Sequence, residues 1–161
     1  VYNNFIHNGV GKYPDDRLKK LNLNILEQKK NGSHIILSEP SEAMKKVYNV
    51  PNWTEDTIKL VKKYTDRKII LHNKFSKDPL KILLKDAWAF ISLQSTAGFM
   101  AMLNGVPSYF TDASLKNISK IEDIERPVID YNIFNNLAYG QWTLKEMETG
   151  EAWETISKNK V

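Results

Sequence analysis

Ser95, Thr96, Ala97 and Gly98 sit between segments of different character. Before them, Trp88 to Leu93 is a short, mostly apolar run, and the chain breaks at the polar group Gln94, Ser95, Thr96. After them, Ala97 to Leu103 reads as a helix stopped by Asn104 and Gly105. A second apolar run from Val106 to Phe110 ends at Asp112. A helix that opens on such a turn leaves backbone N–H groups without intrahelical partners, and its dipole favours an anion there. Small side chains let a diphosphate approach the backbone, and the hydroxyls of Ser95 and Thr96 donate to it. The same residues also make an ordinary N-cap, so both readings stand. Neither standard phosphate fingerprint, GxGxxG nor GxxxxGK[ST], is present.

Three other positions fall where strands are expected to end. His72, Asn73 and Lys74 follow the run KIILH. There a histidine donates to a phosphate or sugar hydroxyl, or serves only structure, and Lys74 is a counter-charge or a solvated loop lysine. Ser38, Glu39 and Ser41 follow the run HIIL, where Glu39 binds a hydroxyl-rich ligand, acts as a base, or is plain surface charge. Asp112 is either a fourth ligand-edge residue or the cap of a segment beginning at Ser114. His7, His34 and His72 are scattered without metal-site spacing, and no GxSxG elbow is present. Trp88, Trp142 and Trp153 read as packing residues rather than a base-stacking surface.

The elements that must position these residues alternate. Strands are expected over His34–Leu37, Lys68–His72, Trp88–Leu93 and Val106–Phe110. Their near-continuous apolar character suits strands buried on both faces of a parallel sheet. Helices are expected over Glu42–Tyr48, over Trp53–Tyr64 capped by Asn52, from Pro79 with a face of Leu80, Leu83, Leu84 and Ala87, and over Ala97–Leu103. The alternation predicts a Rossmann-like, doubly wound α/β fold, with a mainly parallel sheet of four to six strands and helices on both faces. Ligands of such sheets sit beyond the carboxyl ends of the strands. Upstream, 1–13 reads as irregular, and Leu18, Leu21, Leu23 and Leu26 could line a short helix begun at Pro14–Asp16. Downstream, Ser114–Ile121 reads as a short helix and the rest as a mostly helical tail, with a capping box at Thr143–Glu146 and a stop at Gly150. The whole chain, 1–161, reads as one α/β domain: a lead-in over 1–33, core βα repeats over 34–112 and a tail over 113–161.

Composition narrows the function classes. The 161 residues carry a net charge of +4 and no cysteine. The missing thiols exclude disulfides, thiolate metal sites and cysteine nucleophiles, and they suit a reducing cytoplasm. The lysines are spread along the chain, so no motif supports nucleic-acid binding. No apolar run is long enough to span a bilayer.

The run LHNK, followed by a helix, a strand and QSTAGFMAMLNGVPSYF, resembles the carboxyl-terminal domain of GT-B glycosyltransferases. It is also similar to the corresponding half of UDP-N-acetylglucosamine 2-epimerases. The likeness covers His34 to Asp112, and the tail QWTLKEMETGEAW resembles proteins of phages and marine viruses that share the half-motif. It implies that the turn and helix hold the diphosphate of a UDP- or CMP-type sugar donor. The matching positions are His72, Ser95, Thr96, Ala97 and Gly98, closed by Gly105-Val106-Pro107. Those families carry a ribose-binding glutamate on the helix, and this chain has Met100 there.

A GT-B enzyme has two such domains with the active site between them. The expectation is therefore a donor-binding domain whose substrate is a nucleotide sugar, with no separate cofactor and no assigned catalytic base. It would work with an N-terminal partner domain, as a start at Val1 rather than Met favours, or as a homo-oligomer. Met100 motivates a different class, a non-catalytic α/β binding or assembly module. A UDP-sugar epimerase-like enzyme is a third reading.

Overall fold

The computed structural model describes residues 13–113, 115 and 118–158. In order, its elements begin with α1 (Asp16–Leu21), β1 (His34–Ser38), α2 (Glu42–Val47), α3 (Trp53–Val61) and β2 (Lys68–His72). Then come α4 (Leu80–Leu83), β3 (Ala87–Ser92), α5 (Thr96–Leu103) and β4 (Ser108–Phe110). Three helices follow: α6 (Ile133–Ala138), α7 (Leu144–Glu148) and α8 (Glu151–Lys158). The described residues gather into two compact units: 24–130, which holds the whole sheet, and 13–23 with 131–158, whose regular elements are helices.

Among the described residues four strands, all parallel, form one sheet in the order β2-β1-β3-β4. Helices cover both faces, giving the doubly wound α/β architecture. On one face Ile35, Leu37, Ala89, Ile91 and Tyr109 pack with Trp53 and Val61 of α3. On the other, Ile36 and Phe90 pack with Leu84, Ala101 and Val106. Ile35, Ile36 and Leu37 are fully buried, and burial of each such side chain is worth about 1.5–3 kcal/mol. A strand covered on both sides must be apolar at every position, so HIIL runs unbroken instead of alternating. β2 is an edge strand, which leaves Leu71 exposed.

Several expected boundaries move. The helix after Pro79 lasts only to Leu83 and tightens into a 3-10 turn over Leu84–Asp86, because Ala87 already pairs with His34 as the start of β3. Leu80, Leu83 and Leu84 still pack into the core. Val106 and Pro107 precede β4, although the Pro107 carbonyl already accepts from Phe90 N–H. The α3 helix stops at Val61, and the Asn52 side chain makes no cap hydrogen bond. The leucine face expected near the N-terminus does not form: α1 ends at Asn22 in the left-handed conformation, and Leu23 and Leu26 are exposed. Of the expected Ser114–Ile121 helix, Ser114, Lys116 and Asn117 lie outside the described residues; Ser119 and Lys120 are not helical, and a 3-10 turn covers Ile121–Asp123. Trp153, expected to pack, is largely exposed. The irregular lead-in up to residue 12 and His7 lie outside the described residues.

The helical unit is built on Arg17, the buried residue of α1. Its guanidinium donates to both Glu146 carboxylate oxygens, at 3.0 and 3.3 Å, and to the carbonyls of Ala138 and Gln141. It also lies over the Trp142 ring, 3.7 Å from its centroid. Glu146 closes the capping box with Thr143, as its spacing predicts, and Gly150 separates α7 from α8 at φ +81°.

Candidate functional site

The chain adds β2 on one side of β1 and then crosses to place β3 on the other. The strand order therefore reverses between β1 and β3, and the loops leaving those strands diverge there. In open α/β sheets this divergence opens a crevice at the carboxyl ends of the strands. Here it forms a cleft of 240 Å³, walled by Ser38–Ser41 and Met44 on one side and by Ser92–Ser95 on the other.

The two walls are shaped by local hydrogen bonds. Ser41 caps α2, its Oγ accepting from Met44 N–H at 3.3 Å. Ser95 caps α5, its Oγ accepting from Ala97 N–H at 3.2 Å, and its own N–H donates to the buried Ser92 Oγ at 3.3 Å. The Gly98 N–H donates to the Ser95 carbonyl. The amides of Ser95, Ala97 and Gly98 are thus engaged within the chain, fewer left open than the turn alone leads one to expect. Each capping serine keeps a hydroxyl hydrogen to donate.

Gly98 has a role that the sequence reading missed. A side-chain carbon on Gly98 would lie 2.6 and 2.7 Å from two carbons of the Phe110 ring. A small residue is therefore favoured on packing grounds where α5 lies against β4. Ala97 also packs inward, while Thr96 is exposed.

Glu39 is the anchored charge of the site. Its Oε1 accepts from Thr54 Oγ1 at 2.8 Å and from Lys45 Nζ at 3.2 Å, and its Oε2 accepts from Asn73 Nδ2 at 3.3 Å. The Thr54 hydrogen bond, then Lys45 and Asn73, hold its carboxyl below the ordinary carboxylate range despite partial desolvation. Glu39 is therefore a fixed carboxylate at neutral pH, ready to accept from a ligand hydroxyl. No Lys or Arg lines the 240 Å³ cleft among the described residues.

The expected site residues thus divide. Ser38, Glu39, Gln94 and Ser95 meet in the cleft, where Ser41 and Met44 join them. Lys74 lies in a second hollow, across the ridge formed by Glu39, Pro40 and Ser41. His72 ends β2 opposite Ser38 and lines neither hollow; its carbonyl accepts from Glu39 N–H. Asp112 lines neither, and its N–H donates to the Leu93 carbonyl. Met100 is 53 % exposed on α5. Among the described residues no helix is long and apolar enough to cross a membrane. No protein-family model, curated protein or solved structure matches this chain.

Proposed function

We propose that this chain is the nucleotide-sugar-binding domain of a GT-B-type glycosyltransferase, acting in the cytoplasm. The observation that carries the reading is the cleft at the reversal of strand order, with the capped start of α5 on one wall and the fixed Glu39 carboxylate on the other. The resemblance of LHNK and QSTAGFMAMLNGVPSYF to the donor-binding half of those enzymes supports the same place. In this reading Ser95 donates its hydroxyl hydrogen to a diphosphate oxygen, and the start of α5 favours the negative charge. Glu39 accepts from a donor hydroxyl, a task that Met100 cannot perform. Donors held in place would stabilise charge developing on the leaving nucleotide diphosphate.

The purified chain is titrated with UDP, GDP, CMP, ADP and their sugars while thermal unfolding is followed. Ligand at about 100 times its dissociation constant stabilises by about 2.7 kcal/mol. For a chain of this size that is a shift of roughly 5–11 °C. Ser95→Ala should keep the fold and reduce the shift. If no nucleotide or nucleotide sugar shifts the transition, the reading is wrong. The second reading, a binding or assembly module without a donor site, then takes its place; the lack of a basic residue lining the cleft favours it.

A further inference from the structure

A second hollow lies across the 39–41 ridge from the cleft just described, and at 550 Å³ it is the larger of the two. One wall is the ridge with Glu42, and the other is the loop after β2, Asn73, Lys74 and Phe75. Phe75 is 81 % exposed. It does not hang on a slack loop. Its N–H donates to Asn73 Oδ1 at 2.9 Å, Asn73 N–H donates to Ser76 Oγ at 2.9 Å, and Ser76 N–H donates to the Asn73 carbonyl. The Asn73 amide then ties the loop to Glu39. A large apolar ring is thus held in water beside a concave surface rather than folded away.

The polar groups around it select a ligand chemistry. Glu39 and Glu42 only accept hydrogen bonds, so the ligand must bring donors. Glu39 Oε1 already takes two, whereas Oε2 takes one and has a lone pair to spare. Ser41 has a hydroxyl hydrogen to give. Lys45 bridges the two carboxylates, at 3.2 Å from Glu39 and 3.0 Å from Glu42. The Lys74 ammonium sits 4.9 Å from the Phe75 centroid. The two carboxylates are bridged by Lys45, and Lys74 adds a second ammonium, so the formal charges around the hollow balance and suit an uncharged ligand. An aromatic face carries partial negative charge and attracts the weakly positive C–H face of a sugar ring. Such a ring presents hydroxyls at its rim that both donate and accept.

From this arrangement we infer that the hollow is a carbohydrate subsite, with Phe75 as the platform for a neutral sugar ring and Glu39 and Ser41 bonding its hydroxyls. The inference does not rest on phosphate binding in the neighbouring cleft, and its probes carry no phosphate.

The test is saturation-transfer NMR on the whole chain with cellobiose, maltose, lactose and N,N'-diacetylchitobiose, and with uridine as a nucleobase control. At least one disaccharide should receive transfer at its ring C–H protons. Phe75→Ala should weaken that binding about tenfold, and Phe75→Trp should retain it. Phe75 is so exposed that neither variant should move the unfolding midpoint, which a denaturant titration checks. Transfer to none of the disaccharides, transfer unchanged in Phe75→Ala, or transfer to uridine alone would each overturn the inference.

Discussion

Replacing Gly98 by alanine separates a packing glycine from a ligand-contact glycine. The added carbon would lie 2.6 Å from a Phe110 ring carbon, and ordinary contact begins near 3.4 Å, so about 0.8 Å must be found. The ring has little room to give. Phe110 is 2 % exposed, and Phe99 packs against it with centroids 4.9 Å apart. Overpacking of a tight core costs about 1–3 kcal/mol. Alanine returns about 1 kcal/mol of helix propensity over glycine. With the ring confined, the cost sits toward the upper end, and Gly98→Ala should destabilise by about 1–2 kcal/mol net. That corresponds to a fall of roughly 2–8 °C in Tm for a chain of this size. Denaturant unfolding should show a lower midpoint with an unchanged slope. Phe110→Leu in the same chain should relieve the clash, giving a coupling of at least about 0.5 kcal/mol in the double-mutant cycle. An alanine variant as stable as the parent, or more so, would refute the packing argument.

Three further outcomes follow from the same geometry. Glu146 is held well below its ordinary value of 4.5, first by Arg17, then by Lys20 and the Thr143 backbone; its contribution is present above the unfolded value and lost as pH falls toward the folded one, so Glu146→Gln should flatten the loss of Tm on acidification below about 4.5. Ser95→Ala removes the α5 cap and should cost about 1 kcal/mol, read by denaturant unfolding, whether or not a ligand binds there. Thr54→Val removes the first of the groups that hold Glu39 ionised, so the Glu39 carboxyl should titrate at higher pH, measurable by carbon NMR, at a stability cost of about 1–2 kcal/mol.

What could be read from the chain alone was what short-range physics decides. The runs HIIL, KIILH, WAFISL and VPSYF contain the four strands of the described residues to within a residue or two: three are buried on both faces, which calls for a mostly apolar run, and KIILH is the half-exposed edge strand β2, marked by its short β-branched stretch. The Thr143–Glu146 capping box was equally legible, since its partners are three residues apart. So were the positions of Glu39 and Ser95, because a strand end and a helix start are local features.

Tertiary structure decided what depends on partners far along the chain. The order β2-β1-β3-β4 brings the loops after Ser38 and Ser92 together, and it leaves His72 and Asp112 lining neither hollow. Gly98 gains a packing role only when β4 supplies Phe110 beside it. Arg17 carries no local sign of its burial: Glu146, 129 residues away, and the Ala138 and Gln141 carbonyls enclose it only in the folded chain. The exposure of Phe75 likewise depends on the folded loop, whose hydrogen bonds fix its backbone beside Asn73. Hydrophobic period and capping act over a few residues and are written in the sequence; the neighbour that gives a buried glycine, arginine or carboxylate its role is chosen only when the sheet closes.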